Sequence, residues 1–164
     1  MNAQTRSRTN ELQLLAVLAT VVMLFAAFSS AYLIRRTGSD WQRVEFPTIL
    51  WINTGILIVS SFTLEVARRR SGIWLALTVA LGAAFLVGQA FAWRTMAAHG
   101  VFLPTNPHAS FLYLLSAVHA LHLIGGLAAL VYALRRRAAI GLCAAYWHFV
   151  GGVWVYLILL LRVM

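Results

Sequence analysis

The sequence predicts an all-α protein, an integral membrane bundle of five transmembrane helices in a single domain over residues 1–164. Three observations lead to this prediction. Hydrophobic residues make up 62% of the chain and charged residues only 10%, whereas soluble domains carry about 25% charged residues. Five apolar segments reach the ~20 residues that a spanning helix needs. These segments also lack the alternation of barrel strands and are about twice as long as one.

The predicted helices cover residues 12–34, 48–67, 73–93, 111–134 and 139–161. The first could be mistaken for a signal peptide because Arg6 and Arg8 precede it. Its apolar run, however, exceeds the usual ~7–15 residues and ends in "YLIRR", so we expect a retained spanning helix. Pro47 marks the start of the second helix, and Ser110 is the predicted N-cap of the fourth.

The basic charge of the chain fits a membrane protein better than a nucleic-acid binder. The net charge is +9, and all 13 basic residues are arginine. They form short clusters between apolar runs, which is typical of topology signals, and a solvated basic face for nucleic acid is missing. The single cysteine, Cys143, excludes an internal disulfide and a cysteine metal site.

Arginine also predicts the orientation. With five spans, eight arginines fall on the side of the N-terminus and five on the other side. The first group is Arg6, Arg8, Arg68, Arg69, Arg70, Arg135, Arg136 and Arg137, and the second is Arg35, Arg36, Arg43, Arg94 and Arg162. The positive-inside rule then places the N-terminus in the cytoplasm and the C-terminus outside. The two arginine triplets are also expected to contact anionic lipid headgroups.

Histidines within the apolar spans are the first candidate site residues. His119 and His122 share one face of the fourth helix. On the fifth helix, His148 shares a face with Gly151 and Gly152. Small residues let helices approach closely and polar groups bridge the interface, so these are predicted to be packing faces with structural histidines. Trp147 and Trp154 share a different face of the fifth helix, predicted to meet a neighbouring helix or lipid.

Other polar residues in the spans are expected to form hydrogen bonds between helices. They are Asn53, Gln89 and Ser116, and each of these, like His119, is a candidate partner for His148. Glu65 lies three and four residues before Arg68 and Arg69, so a helical ion pair is geometrically available. Glu65 is therefore either a paired interfacial acid or, alternatively, a proton-loading group.

A haem held between helices is an alternative for the histidines. His119 or His122 could face His148, because helical bundles can hold a haem between histidines. The spacing favours structural histidines, since two of the three are only three residues apart and no carboxylate joins them. The chain also contains none of the sequence signatures of phosphate loops, zinc proteases, serine hydrolases or dinucleotide-binding domains.

Taken together, five stretches of the sequence resemble subunit III of the haem–copper respiratory oxidases. The fifth span contains "AAYWHFVGGVWVYL", similar to the family's "YWHF" signature, and "SFLYLLSAVHALHLIGGL" resembles its His-x-x-His helix. "WINTGILIVSSFTLEVAR" and "GQAFAW" resemble the two helices before it, and "LFAAFSSAYLIRR" the first helix common to the family. The motifs occur in family order over roughly residues 20–160 and match the five-helix form.

The resemblance implies an accessory subunit in a bacterial inner membrane. Such a subunit binds no haem or copper itself, packs beside the catalytic subunit I and subunit II, and holds phospholipid. Two acids that many members carry are replaced here by Val21 and Gly151, so a role in proton uptake does not carry over. The alternatives are the accessory subunit of a nitric oxide reductase, a haem b-binding electron-transfer anchor, and a transporter, although no inverted repeat is visible.

Overall fold

The computed structural model describes residues 3–42, 44, 47–70, 72–103, 106–136 and 140–163. These ranges contain five helices and no strand: α1 (Ala3–Arg35), α2 (Thr48–Arg69), α3 (Ile73–Ala98), α4 (Pro107–Arg136) and α5 (Ile140–Val163). Each helix is long and apolar enough to cross a membrane. The all-α, five-helix prediction is therefore confirmed. Every helix extends beyond its predicted span at one or both ends, and Ala139 lies outside the described residues.

Two glycines with positive φ end helices or join them. Gly72 has a φ of 107° in the short turn between α2 and α3, a conformation that costs glycine little. Gly100 has a φ of 77° just after α3. Its N–H donates to the Ala97 carbonyl at 3.0 Å, and the Val101 N–H donates to the Met96 carbonyl at 3.0 Å. This is a Schellman motif, which satisfies the last carbonyls of α3.

The start of α4 differs from the prediction. The helix begins at Pro107, and the Asn106 side chain accepts a hydrogen bond from the Ala109 N–H at 2.8 Å. Asn106 is therefore the N-cap and Pro107 the first helical residue, an arrangement favoured because proline lacks the N–H that would be unpaired there. The prediction that Ser110 caps α4 is wrong, since its hydroxyl donates to the carbonyls of Leu103 and Asn106.

Helices α2, α3, α4 and α5 form a ring in which each helix packs on the next and α5 closes onto α2. Helix α1 lies outside this ring. It packs against α4 and α5 through Val21, Phe25 and Tyr32, and within the described residues it does not approach α2 or α3. Residues 8–20 of α1 include no buried side chain, so this part of the helix is open to its surroundings.

The buried face of α5 carries tryptophans rather than histidine. Trp147 and Trp154 are almost completely buried, with 0% and 2% of their surface exposed. His148 and Gly152 are exposed on the opposite side of the helix. The prediction that the His148 face packs within the chain is wrong. Tryptophan buries up to about 250 Å² of surface, so two indole rings fill the ring interior better than one imidazole and two glycines.

The glycines at which helices approach closely do not include Gly151 or Gly152. A Cβ on Gly82 would lie 2.6 Å from the Trp147 ring, and one on Gly126 would lie 2.9 Å from the Tyr146 ring. A Cβ on Gly151 would lie 3.6 Å from Ser61, an ordinary contact, and one on Gly152 would meet nothing within 4 Å. Close packing therefore occurs at α3–α5 and α4–α5, whereas Gly151 and Gly152 border open space.

Candidate functional site

His148 lies beside an acid on the outer surface of the bundle. Its Nε2 atom is 3.9 Å from Glu65 Oε2, and Arg68 Nη1 donates to the same oxygen at 2.9 Å. The side chains of His148, Glu65 and Arg68 are 40%, 44% and 47% exposed. None of the four partners predicted for His148 is bonded to it among the described contacts. The structure instead brings His148 close to Glu65, a contact that the sequence did not predict.

Two hydrogen bonds tie the buried tryptophans to α2. Trp147 Nε1 donates to Ser60 Oγ at 3.0 Å, and Trp154 Nε1 donates to Thr54 Oγ1 at 3.1 Å. A buried indole N–H usually finds an acceptor, and α2 supplies a hydroxyl at each level. The sequence contained a signal for this pairing, because the two indoles are seven residues apart and the two hydroxyls six, so each pair spans about two helical turns.

His119 lies inside the ring of four helices, and its side chain is completely buried. Its ring centroid is 4.8 Å from that of Trp154 and 5.9 Å from that of Phe85. Neither of its nitrogens has a hydrogen-bond partner among the described residues. His119 therefore contacts its neighbours on α3 and α5 through its ring face, without a hydrogen bond among the described residues.

His122 has separate surroundings from the other two histidines. Its Nδ1–H donates to the Val118 carbonyl of the same helix at 2.8 Å, and its ring centroid lies 5.7 Å from that of Phe25 on α1. His119 faces the ring interior, His122 faces α1, and His148 faces Glu65. Because the three imidazoles point to different environments, the geometry does not favour a haem held between them.

Of the remaining polar candidates, Ser116 forms a hydrogen bond between helices, whereas Asn53 and Gln89 are buried side chains. Ser116 accepts a hydrogen bond from Trp93 Nε1 at 3.0 Å, which links α3 and α4. Asn53 and Gln89 are each 1% exposed. Asn53 lies against Gly88, where a Cβ would clash with its carboxamide. The Asn53 Nδ2 atom and both polar atoms of Gln89 have no partner among the described residues.

The predicted headgroup-binding arginines lie at one end of the bundle. Arg69 ends α2 and Arg135 lies in the last turn of α4, and both side chains are exposed. Arg68 forms an ion pair with Glu65. Arg137 lies outside the described residues.

His108, near the opposite end of the bundle, was missed by the sequence analysis. Its Nδ1 accepts a hydrogen bond from the Val44 N–H at 2.9 Å. Because that backbone group can only donate, the ring proton belongs on Nε2, which donates to the Leu161 carbonyl at 3.2 Å. The side chain is 2% exposed. His108 thus joins the α1–α2 loop to one of the last carbonyls of α5, which lack helical partners.

Comparisons with known proteins now assign the family, although no family model matches the chain. The probable cytochrome c oxidase subunit 3 of Mycobacterium bovis is 31% identical in an alignment that covers 85% of this chain and 80% of the relative. Cytochrome c oxidase subunit 3 of Thermostichus vulcanus is 31% identical, with 93% of this chain and 86% of the relative covered. The chain belongs to the cytochrome c oxidase subunit 3 family. The subunit 3 of Corynebacterium diphtheriae is 30% identical, with 84% and 80% covered.

Family membership confirms the resemblance found in the sequence motifs. Together with five helices that can cross a membrane, it identifies a multi-pass membrane protein that is part of an oxidoreductase complex. The names of these relatives support the oxidase prediction. They give no support to a nitric oxide reductase subunit, a haem-binding anchor or a transporter.

Proposed function

We propose that this chain is the accessory, non-catalytic subunit III of a haem–copper terminal oxidase in a bacterial inner membrane. Its partners are the catalytic subunit I and subunit II, which hold the haem and copper at which oxygen is reduced to water. The observation that carries the proposal is membership of the subunit 3 family over 85% of the chain or more. The contribution of this chain is to stabilise the catalytic subunit during turnover.

The interior of the bundle supports a scaffolding role. Its two largest buried side chains, Trp147 and Trp154, bond to hydroxyls on α2, and His119 is held between aromatic rings. These polar groups are engaged in helix packing. The two indole–hydroxyl bonds are satisfied buried hydrogen bonds, which favour one arrangement of α2 and α5, and a fixed arrangement of helices is the property that a docking subunit needs.

The proposal includes an orientation and a lipid contact. The N-terminus lies in the cytoplasm and the C-terminus outside, supported by the eight-to-five distribution of arginines. Phospholipid covers the apolar surface of the bundle, and its headgroups meet Arg69 and Arg135. An anionic headgroup within a Debye length of these side chains would be attracted by about 1 kcal/mol per arginine.

Native purification tests the proposal. An affinity tag after Met164 is used to isolate the chain from membranes, and the accompanying chains are identified by mass spectrometry. We expect a haem–copper catalytic subunit, oxidase spectra and oxygen consumption in the purified sample. Purification with a nitric oxide reductase, or a haem absorption band retained by the isolated chain and lost in His148→Ala, would overturn the proposal.

A further inference from the structure

Three polar side chains inside the ring of four helices are buried without all of their hydrogen bonds. Asn53 on α2, Gln89 on α3 and His119 on α4 each have 1% or less of their surface exposed. The Asn53 Nδ2 atom, both polar atoms of Gln89 and both ring nitrogens of His119 have no hydrogen-bond partner among the described residues. Buried polar groups are nearly always bonded to protein or to ordered water, so each of these five atoms is expected to have a partner.

Asn53 and Gln89 come together where α2 packs on α3. A Cβ added to Gly88 would clash with the Asn53 carboxamide oxygen, so the end of this side chain lies against the α3 backbone. Gln89 is the next residue of α3. The Asn53 carboxamide therefore lies beside the turn of α3 that carries Gln89.

His119 approaches the same level from α4. Its ring centroid lies 5.9 Å from that of Phe85, which is four residues, or about one helical turn, before Gln89 on α3. The same imidazole lies 4.8 Å, between ring centroids, from Trp154, whose indole bonds to the hydroxyl of the residue that follows Asn53 on α2. Asn53, Gln89 and His119 thus form one polar layer, with one member on each of three neighbouring helices.

The chemistry of the polar layer favours water over an ion. The two carboxamides are uncharged, and Glu65 is the only acid in the sequence of the four ring helices. It lies twelve residues beyond Asn53, which is about 18 Å along α2, so a bound cation would have no carboxylate at this level. Carboxamides offer both donors and acceptors, and a neutral imidazole offers one of each. A buried water molecule matches this set, because it typically makes about three hydrogen bonds as donor and acceptor.

The structure provides space for water beside Gln89. This side chain lines a groove of about 280 Å³ between α3 and α4, where the lining residues of α4 include the small Ala117 and Ala120. Each water molecule occupies about 30 Å³ in the liquid, so the groove has room for several. Apart from the Trp93 ring, the rest of its lining is aliphatic. Water is therefore held only at the end of the groove where the Gln89 carboxamide lies.

We propose that the polar layer is a binding site for a small cluster of ordered water molecules, held by the carboxamides of Asn53 and Gln89 and the imidazole of His119. The water accepts hydrogen bonds from the amide and imidazole N–H groups. It donates to Gln89 Oε1 and to the unprotonated imidazole nitrogen. The cluster links α2, α3 and α4 together, whereas the direct side-chain bonds among the described residues link these helices in pairs. The site belongs to this chain alone and does not rest on the proposed function.

Radiolytic footprinting tests for this water in the full-length protein, purified from its membrane with whatever chains accompany it. A short X-ray pulse makes hydroxyl radicals from water wherever it is bound, and mass spectrometry measures the oxidation of side chains beside it. His108 is the matched control, because it is also a buried histidine but both of its ring nitrogens are bonded to the protein. We expect His119 to be oxidised several-fold faster than His108. Equal rates, or no oxidation of His119, would overturn the proposal.

A pair of glutamine variants tests whether the polar layer holds the water. Gln89→Met removes both polar atoms and keeps the length of the side chain, and Gln13→Met makes the same change at an exposed position of α1. We expect oxidation of His119 to fall several-fold in the Gln89 variant and to be unchanged in the Gln13 variant. Unchanged oxidation of His119 in a folded Gln89 variant, as verified by helical circular dichroism, would contradict the proposal. The wild-type comparison of His119 with His108 decides the question even if the Gln89 variant fails to fold.

Discussion

Trp147 on α5 and Ser60 on α2 are 87 residues apart in sequence and are joined by a hydrogen bond of 3.0 Å in the centre of the bundle. The indole N–H is the donor and the serine hydroxyl the acceptor. Trp154 and Thr54 form a second bond of the same kind. These bonds fix both the rotation of α5 and its height relative to α2.

Removing the acceptor should weaken the bundle measurably. We expect Ser60→Ala to lower the free energy of unfolding by about 0.6–1.7 kcal/mol, because it leaves the buried Trp147 N–H without a partner and interhelical bonds in membranes have this magnitude. The measurement is an SDS titration in mixed micelles followed by helical circular dichroism. Ser61→Ala is the control, since Ser61 lines an open groove between α2 and α5. Equal losses in the two variants would show that the bond does not contribute.

The glycines provide a second prediction. We expect Gly82→Ala to cost about 1–3 kcal/mol, because the added methyl group would lie 2.6 Å from the buried Trp147 ring and overpacking carries this cost. Gly125→Ala should be neutral or stabilising by about 0.5–1 kcal/mol, since a Cβ there meets nothing and alanine is the better helix former. The same titration measures both. A Gly82 variant as stable as the Gly125 variant would contradict the packing described here.

The sequence predicted the number, order and approximate extent of the helices, because length and hydropathy alone determine them. It did not predict which face of α5 is buried. In a membrane the lipid-facing and core-facing sides of a helix are both apolar, so the spacing of Trp147 and Trp154 groups them on one face without saying where that face points. A polar side chain in an apolar span is expected to face the interior, whereas Glu65 provides the partner of His148 at the surface.

His108 was missed for a different reason. The predicted fourth helix began at residue 111, so His108 fell in a loop, where a histidine carries little information. The Asn106–Pro107 pair was the available signal, since asparagine followed by proline is a common helix start. With the helix beginning at Pro107, His108 lies in its first turn. Its two bonding partners, Val44 and Leu161, are 64 and 53 residues away, and only the folded bundle brings them together.

His108 should hold the α1–α2 loop against α5. We expect His108→Ala to increase hydrogen exchange at the Val44 amide and to cost about 1–3 kcal/mol, because the Val44 N–H and the Leu161 carbonyl would both lose a partner. His99→Ala is the matched control at the same end of the bundle, since His99 is exposed and its side chain bonds to the Thr95 carbonyl of its own helix. Unchanged protection of Val44 in the His108 variant would contradict this role.

The proposed orientation predicts which loops are accessible from outside the cell. In a Cys143→Ala background, a cysteine replacing Ser39 should react with an impermeant thiol reagent in whole cells. Ser39 is exposed in the turn after α1. A cysteine replacing Ser71, between α2 and α3 and outside the described residues, should react only after the membrane is opened. The reverse pattern of labelling would overturn the orientation.

The role of Glu65 can be tested by a change that keeps its shape. Its contacts are an ion pair with Arg68 at 2.9 Å and a longer approach of 3.9 Å to His148. Helical ion pairs of this spacing contribute about 0.2–0.5 kcal/mol, and glutamine can still accept a hydrogen bond from either neighbour. We therefore expect Glu65→Gln to leave oxygen consumption by the assembled complex within about twofold of wild type.

Asp40→Asn is the matched control, because Asp40 forms the equivalent exposed pair with Arg35 at the opposite end of the bundle. A proton-loading carboxylate would behave differently, since glutamine cannot bind and release a proton. A large loss of turnover in Glu65→Gln, with normal assembly and with Asp40→Asn unaffected, would show that Glu65 acts in proton loading rather than as a paired interfacial acid.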